Sequence, residues 1–173
     1  SARRSGPAAR IGSELPGAAE GLRRLRAMGW GLVVVTNQSG VARGYFDLAR
    51  VAEIHRRLED LLAAEGVRLD GIYICPHLPD ADCPCRKPRT GLIGQAAAEL
   101  GFDPARAIVI GDKPCDIELG QAARVPTILV RTGYGAQHET AATVRPDAIV
   151  DDLRSAAEQV RDSGFGIRNS QDT

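Results

Sequence analysis

Apolar positions along the chain follow two alternating periods, one near 3.6 residues and one of short continuous runs. Pro16 is placed to open a helix at its first position, with Leu22, Leu25 and Met28 on one face. A β-rich run from Gly31 to Thr36 ends in the polar turn Asn37-Gln38-Ser39-Gly40. Between Asp47 and Glu65, Leu48, Val51, Ile54, Leu58, Leu61 and Leu62 recur at helical spacing, and Gly66 is a stop signal. A second strand runs from Gly71 to Cys75 and enters a compact loop containing His77, Cys83 and Cys85. Thr90 is placed to cap a third helix that reaches Leu100, with Gly101 after it. The strand Ala107 to Asp112 follows, then a helix from about Asp116 to Ala123 and a strand from Thr127. A short strand at Ala148 to Val150 and a helix near Leu153 to Val160 close the pattern.

Alternating strands and helices with continuous apolar strands predict a parallel sheet covered on both faces, a Rossmann-like α/β three-layer sandwich. Such sheets bind ligands beyond the carboxyl ends of their strands. Three polar clusters fall there: Thr36 to Gly40, Cys75 to Lys87, and Gly111 to Lys113. Residues 1–13 carry no strand and no aspartate and are expected to be disordered, as is the polar tail 164–173. The domain is expected to span residues 14–163.

Length narrows this to one domain, since 173 residues suit a single core. A formal net charge of zero argues against nucleic-acid partners held by bulk electrostatics. No apolar run suits a membrane, and the N-terminal twin arginine has no apolar stretch behind it, so a cytoplasmic protein is expected. In that compartment the four cysteines read as metal ligands in preference to disulfides. With no apolar stripe left over for an interface, a monomer is expected.

The candidate chemistry lies in the three clusters. Thr36, Asn37, Gln38, Ser39 and Gly40 offer hydroxyl, amide and backbone donors that suit a phosphate, although a polar turn would have the same composition. Cys75, His77, Cys83 and Cys85 supply the four ligands that a closed, structural zinc site needs, the alternative being a reduced cysteine cluster with a chance histidine. Arg86 and Lys87 follow at once, either as a phosphate clamp or as a solvated charge pair. Gly111, Asp112, Lys113 and Asp116 place two carboxylates where a divalent cation could sit, or where they would cap a helix.

Taken together, these features resemble the haloacid-dehalogenase superfamily, in particular its zinc-loop subgroup of phosphatases. The segments TNQSGVARGYF, CRKP, GDKPCDI and LVRTGYG are similar to its heptose bisphosphate branch; the histidinol phosphate branch typically has Asp where Ser39 stands. The resemblance covers about residues 14–155. It implies a magnesium-dependent phosphomonoester hydrolase that removes the 7-phosphate of a heptose 1,7-bisphosphate through an aspartyl-phosphate. A histidinol-phosphate phosphatase and a non-catalytic sugar-phosphate binder are the alternatives.

By the same resemblance, Thr36 would hydrogen-bond the phosphoryl group and Lys87 would neutralise it. Asn37, Gln38, Ser39, Arg86 and Lys113 would line the substrate site. Asp112 would bind magnesium and Asp116 would support it. The family also has a central strand ending in Asp-x-Asp-Gly, whose aspartates act as nucleophile and general acid. The first aspartate here is Asp47, so no counterpart exists. A gap between the Thr36 and Asp112 strands, no turnover by these 173 residues, and a strand belonging in front of them are therefore expected.

Overall fold

The computed structural model describes residues 17–139 and 145–164. The stretch 1–13, Pro16 and the tail beyond Gly164 lie outside them. The order is α1 (Ala18–Ala27), β1 (Val33–Asn37), a one-turn α2 (Ser39–Ala42), α3 (Leu48–Ala64), β2 (Gly71–Cys75) and α4 (Gly91–Leu100). A 3₁₀ turn (Pro104–Arg106), β3 (Val109–Gly111), α5 (Pro114–Ala122) and β4 (Thr127–Val130) follow. A one-turn α6 (Gly135–His138), β5 (Ala148–Val150) and α7 (Leu153–Ser163) complete it.

Local chemistry sets these boundaries. The Asp47 carboxylate accepts from Arg50 N at 2.8 Å and opens α3, and the Asp152 carboxylate does the same for α7 through Ser155 N at 2.8 Å. Thr90 makes no side-chain cap for α4, contrary to expectation. Helix α5 begins at Pro114, two residues earlier than expected, because proline is favoured at the first helical position.

All strand pairs are parallel. Strand β1 pairs β2 from Val33↔Gly71 to Asn37↔Cys75, while β3, β4 and β5 form a second sheet in that order. Among the described residues no strand joins β1 to β3, so each has one edge without a strand partner at the expected gap. Every residue of β1 is only half-buried, whereas all four of β4 are buried.

Apolar packing nevertheless bridges the two sheets. One cluster joins Leu25 of α1, Leu58 and Leu62 of α3, Ile128 and Val130 of β4, and Ala156, Ala157 and Val160 of α7, with Ile72 and Ile110 against it. A smaller one sets Leu92 and Ala96 of α4 against Tyr73 and Cys75, with Cys83 and Cys85 packed on it. Helix α1 meets α7 closely at Gly21, where a β-carbon would lie 2.4 Å from the Leu153 carbonyl.

Three residues on the apolar faces read from the sequence are exposed. Met28 is the C-cap of α1 and is 39% exposed. Leu48 opens α3 and extends past the core, and Leu61 lies about 100° round the helix from Leu62, so both are exposed.

Candidate active site and metal-binding loop

The parallel register brings Asn37 opposite Cys75, so the turn after β1 and the cysteine loop after β2 start side by side. Gln38 N donates to Cys75 O at 2.7 Å and locks the two together. The Gln38 side chain turns back, with Nε2 donating to Thr36 Oγ1 at 3.3 Å. Asn37 reaches across to the loop: Oδ1 accepts from Lys87 N at 3.0 Å, and Nδ2 donates to Lys87 O at 3.4 Å. Its amide thus holds the Lys87 backbone, a positioning task that composition alone did not reveal.

The four expected metal ligands converge. Cys75 Sγ lies 3.5 Å from His77 Nδ1 and 3.5 Å from Cys83 Sγ, and His77 Nδ1 lies 3.2 Å from Cys85 Sγ. All four ligand atoms are within 4.8 Å of one another. A tetrahedral ion with metal–sulfur bonds of about 2.3 Å needs ligand atoms about 3.8 Å apart, so the cluster fits zinc. Burial pushes the Cys83 thiol up, but hydrogen bonds with the Cys75 and Cys85 sulfurs and from the Arg86 and Cys85 N–H groups outweigh it and bring it down to about 6. Burial, followed by the neighbouring Cys75 and Cys83 sulfurs, pushes Cys85 up to about 12. Three crowded sulfurs cannot all carry charge without a cation among them.

The loop is further held from outside. Gly91 N donates to Pro84 O at 3.0 Å, and a β-carbon on Gly91 would lie 2.3 Å from that oxygen. Arg89 donates to Cys83 O and to Asp82 Oδ1, both at 2.6 Å. A staple of this kind fixes the direction of the next two residues. Lys87 points to the end of β3, where Nζ meets Asp116 Oδ1 at 2.6 Å. Arg86 Nη1 is buried and has no hydrogen-bond partner among the described residues. A buried, unpaired guanidinium nitrogen favours an incoming acceptor oxygen.

At the end of β3 the backbone wraps around Asp116. Its Oδ2 accepts from both Asp112 N and Lys113 N at 3.2 Å. Gly111 allows this, since a β-carbon there would lie 2.3 Å from Asp116 Cβ. The Asp112 carboxylate accepts from Tyr134 N at 3.1 Å through Oδ2. No other hydrogen bond reaches that carboxylate among the described residues, which leaves a hard oxygen available to a cation such as magnesium. A cavity of about 190 Å³ adjoins it, lined also by Ala18, Ile110, Val130, Thr132 and Leu153.

Thr36, Asn37, Gln38, Arg86, Lys87, Asp112, Lys113 and Asp116 thus share one end of the fold. Ser39 begins the one-turn α2 beside them. Sequence reading passed over Gly133 and Tyr134, although they lie within the LVRTGYG segment. The pairing of Gly with an aromatic residue after an apolar strand was the available signal.

Known proteins resemble this chain in sequence and fold. The HAD-hydrolase-like family model matches residues 84–156. The chain is 38% identical to D-glycero-beta-D-manno-heptose-1,7-bisphosphate 7-phosphatase of Pseudomonas aeruginosa, over 83% of this chain and 80% of that one. It is also 38% identical to D-glycero-D-manno-heptose-1,7-bisphosphate 7-phosphatase of Thermosynechococcus vestitus, over 84% and 82% of the two chains. The crystal structure of D,D-heptose 1,7-bisphosphate phosphatase from B. bronchiseptica, complexed with magnesium and phosphate, superposes with a TM-score of 0.78 and 36% identity, covering 86% of this chain and 84% of that one. On this likeness in sequence and fold, the chain belongs to the heptose-1,7-bisphosphate 7-phosphatase family of HAD-like hydrolases.

Proposed function

We infer that the fold serves hydrolysis of the 7-phosphate of D-glycero-D-manno-heptose 1,7-bisphosphate. The observation that carries this is the convergence of Lys87, Asp116, Asp112 and Lys113 at one strand end, in a chain so similar to phosphatases of that substrate. Thr36 and Lys87 contact the phosphoryl oxygens, and Lys87 offsets the charge that develops on them. Asn37 holds the Lys87 backbone, and Asp116 holds its ammonium. Gln38, Ser39, Arg86 and Lys113 face the rest of the sugar phosphate, with the buried Arg86 Nη1 as an anchor for an oxygen.

Asp112 is the residue that would hold magnesium, which when bound polarises the phosphoryl oxygens. Zinc held by Cys75, His77, Cys83 and Cys85 would be structural, since four protein ligands would leave it no open position. Of the two carboxylates at the site, Asp116 is engaged by Lys87 and two N–H groups, and Asp112 by Tyr134. Neither is placed as a nucleophile. The attacking aspartate belongs to a strand ending in Asp-x-Asp-Gly, and the unpartnered edges of β1 and β3 suit such a strand. Its carboxylate oxygen forms a bond to phosphorus as the sugar oxygen leaves with a proton from the second aspartate of that strand, and water then cleaves the acyl phosphate to free phosphate and the carboxylate.

The protein works as a monomer in the cytoplasm. Four unpaired cysteines suit a reducing compartment, and no helix among the described residues is long and apolar enough to cross a membrane.

The test is phosphate release from heptose 1,7-bisphosphate and from histidinol phosphate. These 173 residues should give none, and a version extended by such a strand should release the 7-phosphate with magnesium. Turnover by the 173 residues alone would mean the nucleophile lies elsewhere. Preference for histidinol phosphate would overturn the substrate.

A further inference from the structure

We propose that Tyr134 is a positioning residue with two separable tasks. Its ring holds Lys113 ready for an anionic oxygen, and its main-chain N–H orients Asp112.

The turn that carries Tyr134 is rigidly seated. Arg131 N donates to Val150 O at 2.9 Å and Thr132 N to Asp151 O at 3.1 Å, so β4 and β5 stay joined up to the turn. The Arg131 guanidinium donates to Glu139 Oε1 and Oε2 at 2.9 Å and to Asp151 Oδ1 at 2.8 Å, clamping both sides of it. Gly133 adopts φ +66°, and a β-carbon there would lie 2.4 Å from Asp112 Oδ2. Only glycine lets the carboxylate lie this close to the turn.

With the turn seated, Tyr134 meets both polar residues that end β3. Its N–H donates to Asp112 Oδ2 at 3.1 Å. Its ring centroid lies 4.9 Å from Lys113 Nζ, a cation–π contact. The contrast with Lys87 is chemical. Lys87 is held by a carboxylate at 2.6 Å, which neutralises much of its charge. Lys113 makes no ion pair among the described residues; an aromatic face restrains its long stem and leaves the full positive charge for a ligand. A restraint of this kind reduces the side-chain freedom lost on binding.

The inference rests on Lys113 being a phosphate contact, and the experiment separates the two. In the 173-residue chain, NMR follows the Lys113 ε-methylene, which the ring shifts upfield, during titrations with orthophosphate and with magnesium. Tyr134→Ala should abolish the upfield shift and weaken phosphate binding about three- to fivefold, the range of an exposed cation–π contact. Tyr134→Phe should keep both. The magnesium response of the residue 134 amide should keep its midpoint in each variant, because the N–H is main chain. Loss of phosphate affinity in Lys113→Ala but not in Tyr134→Ala overturns the role of the ring. No loss in either overturns the placement of Lys113 on which it rests. A parallel loss of the magnesium response in Tyr134→Ala overturns the separation of the two tasks.

Discussion

Lys87 Nζ lies 2.6 Å from Asp116 Oδ1, and the two side chains are only 11% and 10% exposed. The pair ties the cysteine loop after β2 to the loop after β3, across the side of the fold where, among the described residues, no strand joins β1 to β3. It therefore acts as a polar rivet between the two sheets and fixes the position of the Lys87 ammonium. Removing one partner leaves the other charge buried, which is the costly way to break such a pair. Asp116 would retain two backbone donors, so the cost is moderated.

Lys87→Ala and Asp116→Ala should each destabilise the chain by about 2–3 kcal/mol in urea unfolding. The double variant should cost less than the sum of the two by about 1 kcal/mol or more. Additive losses would show that the pair contributes no coupling, whatever its distance.

Purified under reducing conditions, the protein should carry about one zinc per chain, as four ligands within 4.8 Å imply. Cys83→Ser should release the metal and increase proteolysis between Cys75 and Arg89. Metal analysis showing no zinc in fresh, reduced protein would remove the staple from the account of Arg86 and Lys87.

Gly21→Ala should destabilise the fold, although alanine is the better helix former. A β-carbon 2.4 Å from the Leu153 carbonyl would push α1 away from α7, and overpacking of this kind costs about 1–3 kcal/mol. A thermal shift upward in Gly21→Ala would mean the helices separate without penalty.

Acid should weaken the join between α1 and the two strands it precedes. Burial pushes the Asp70 carboxyl up, but the hydrogen bond from Leu32 N at 2.7 Å and the Arg26 guanidinium at 3.0 Å, with the Arg68 charge, hold it below its ordinary value of 3.8. The folded state thus binds this proton less readily than the unfolded chain. The stability it contributes is complete above the unfolded value and disappears as pH falls through the lower, folded one. Asp70→Asn should cost about 1 kcal/mol at pH 7 and flatten the acid limb below pH 4. Parallel pH profiles for the two proteins would contradict this.

Much of the molecule was legible from residue order because the governing forces are local. The candidate metal ligands Cys75, His77, Cys83 and Cys85 lie at the end of β2 and in the loop that follows it, and their type and spacing already suit a tetrahedral set. Strand and helix order followed from apolar period, and the parallel sheet followed from the alternation. The expected space between the Thr36 and Asp112 strands rested on likeness to a family, and the strand pairing shows the two edges. Exposure was read less well: Met28, Leu48 and Leu61 match the period, yet a helix end and the breadth of the buried face decide whether such residues reach the core.

The roles within the site needed the folded chain. Asn37 clamps a backbone 50 residues away, Lys87 finds Asp116 at a separation of 29, and Tyr134 reaches Asp112 across 22. No local period encodes these partners, since loop closure and sheet register bring them together. A polar side chain at a strand end has many possible uses, and its hydrogen-bond partners in three dimensions select among them.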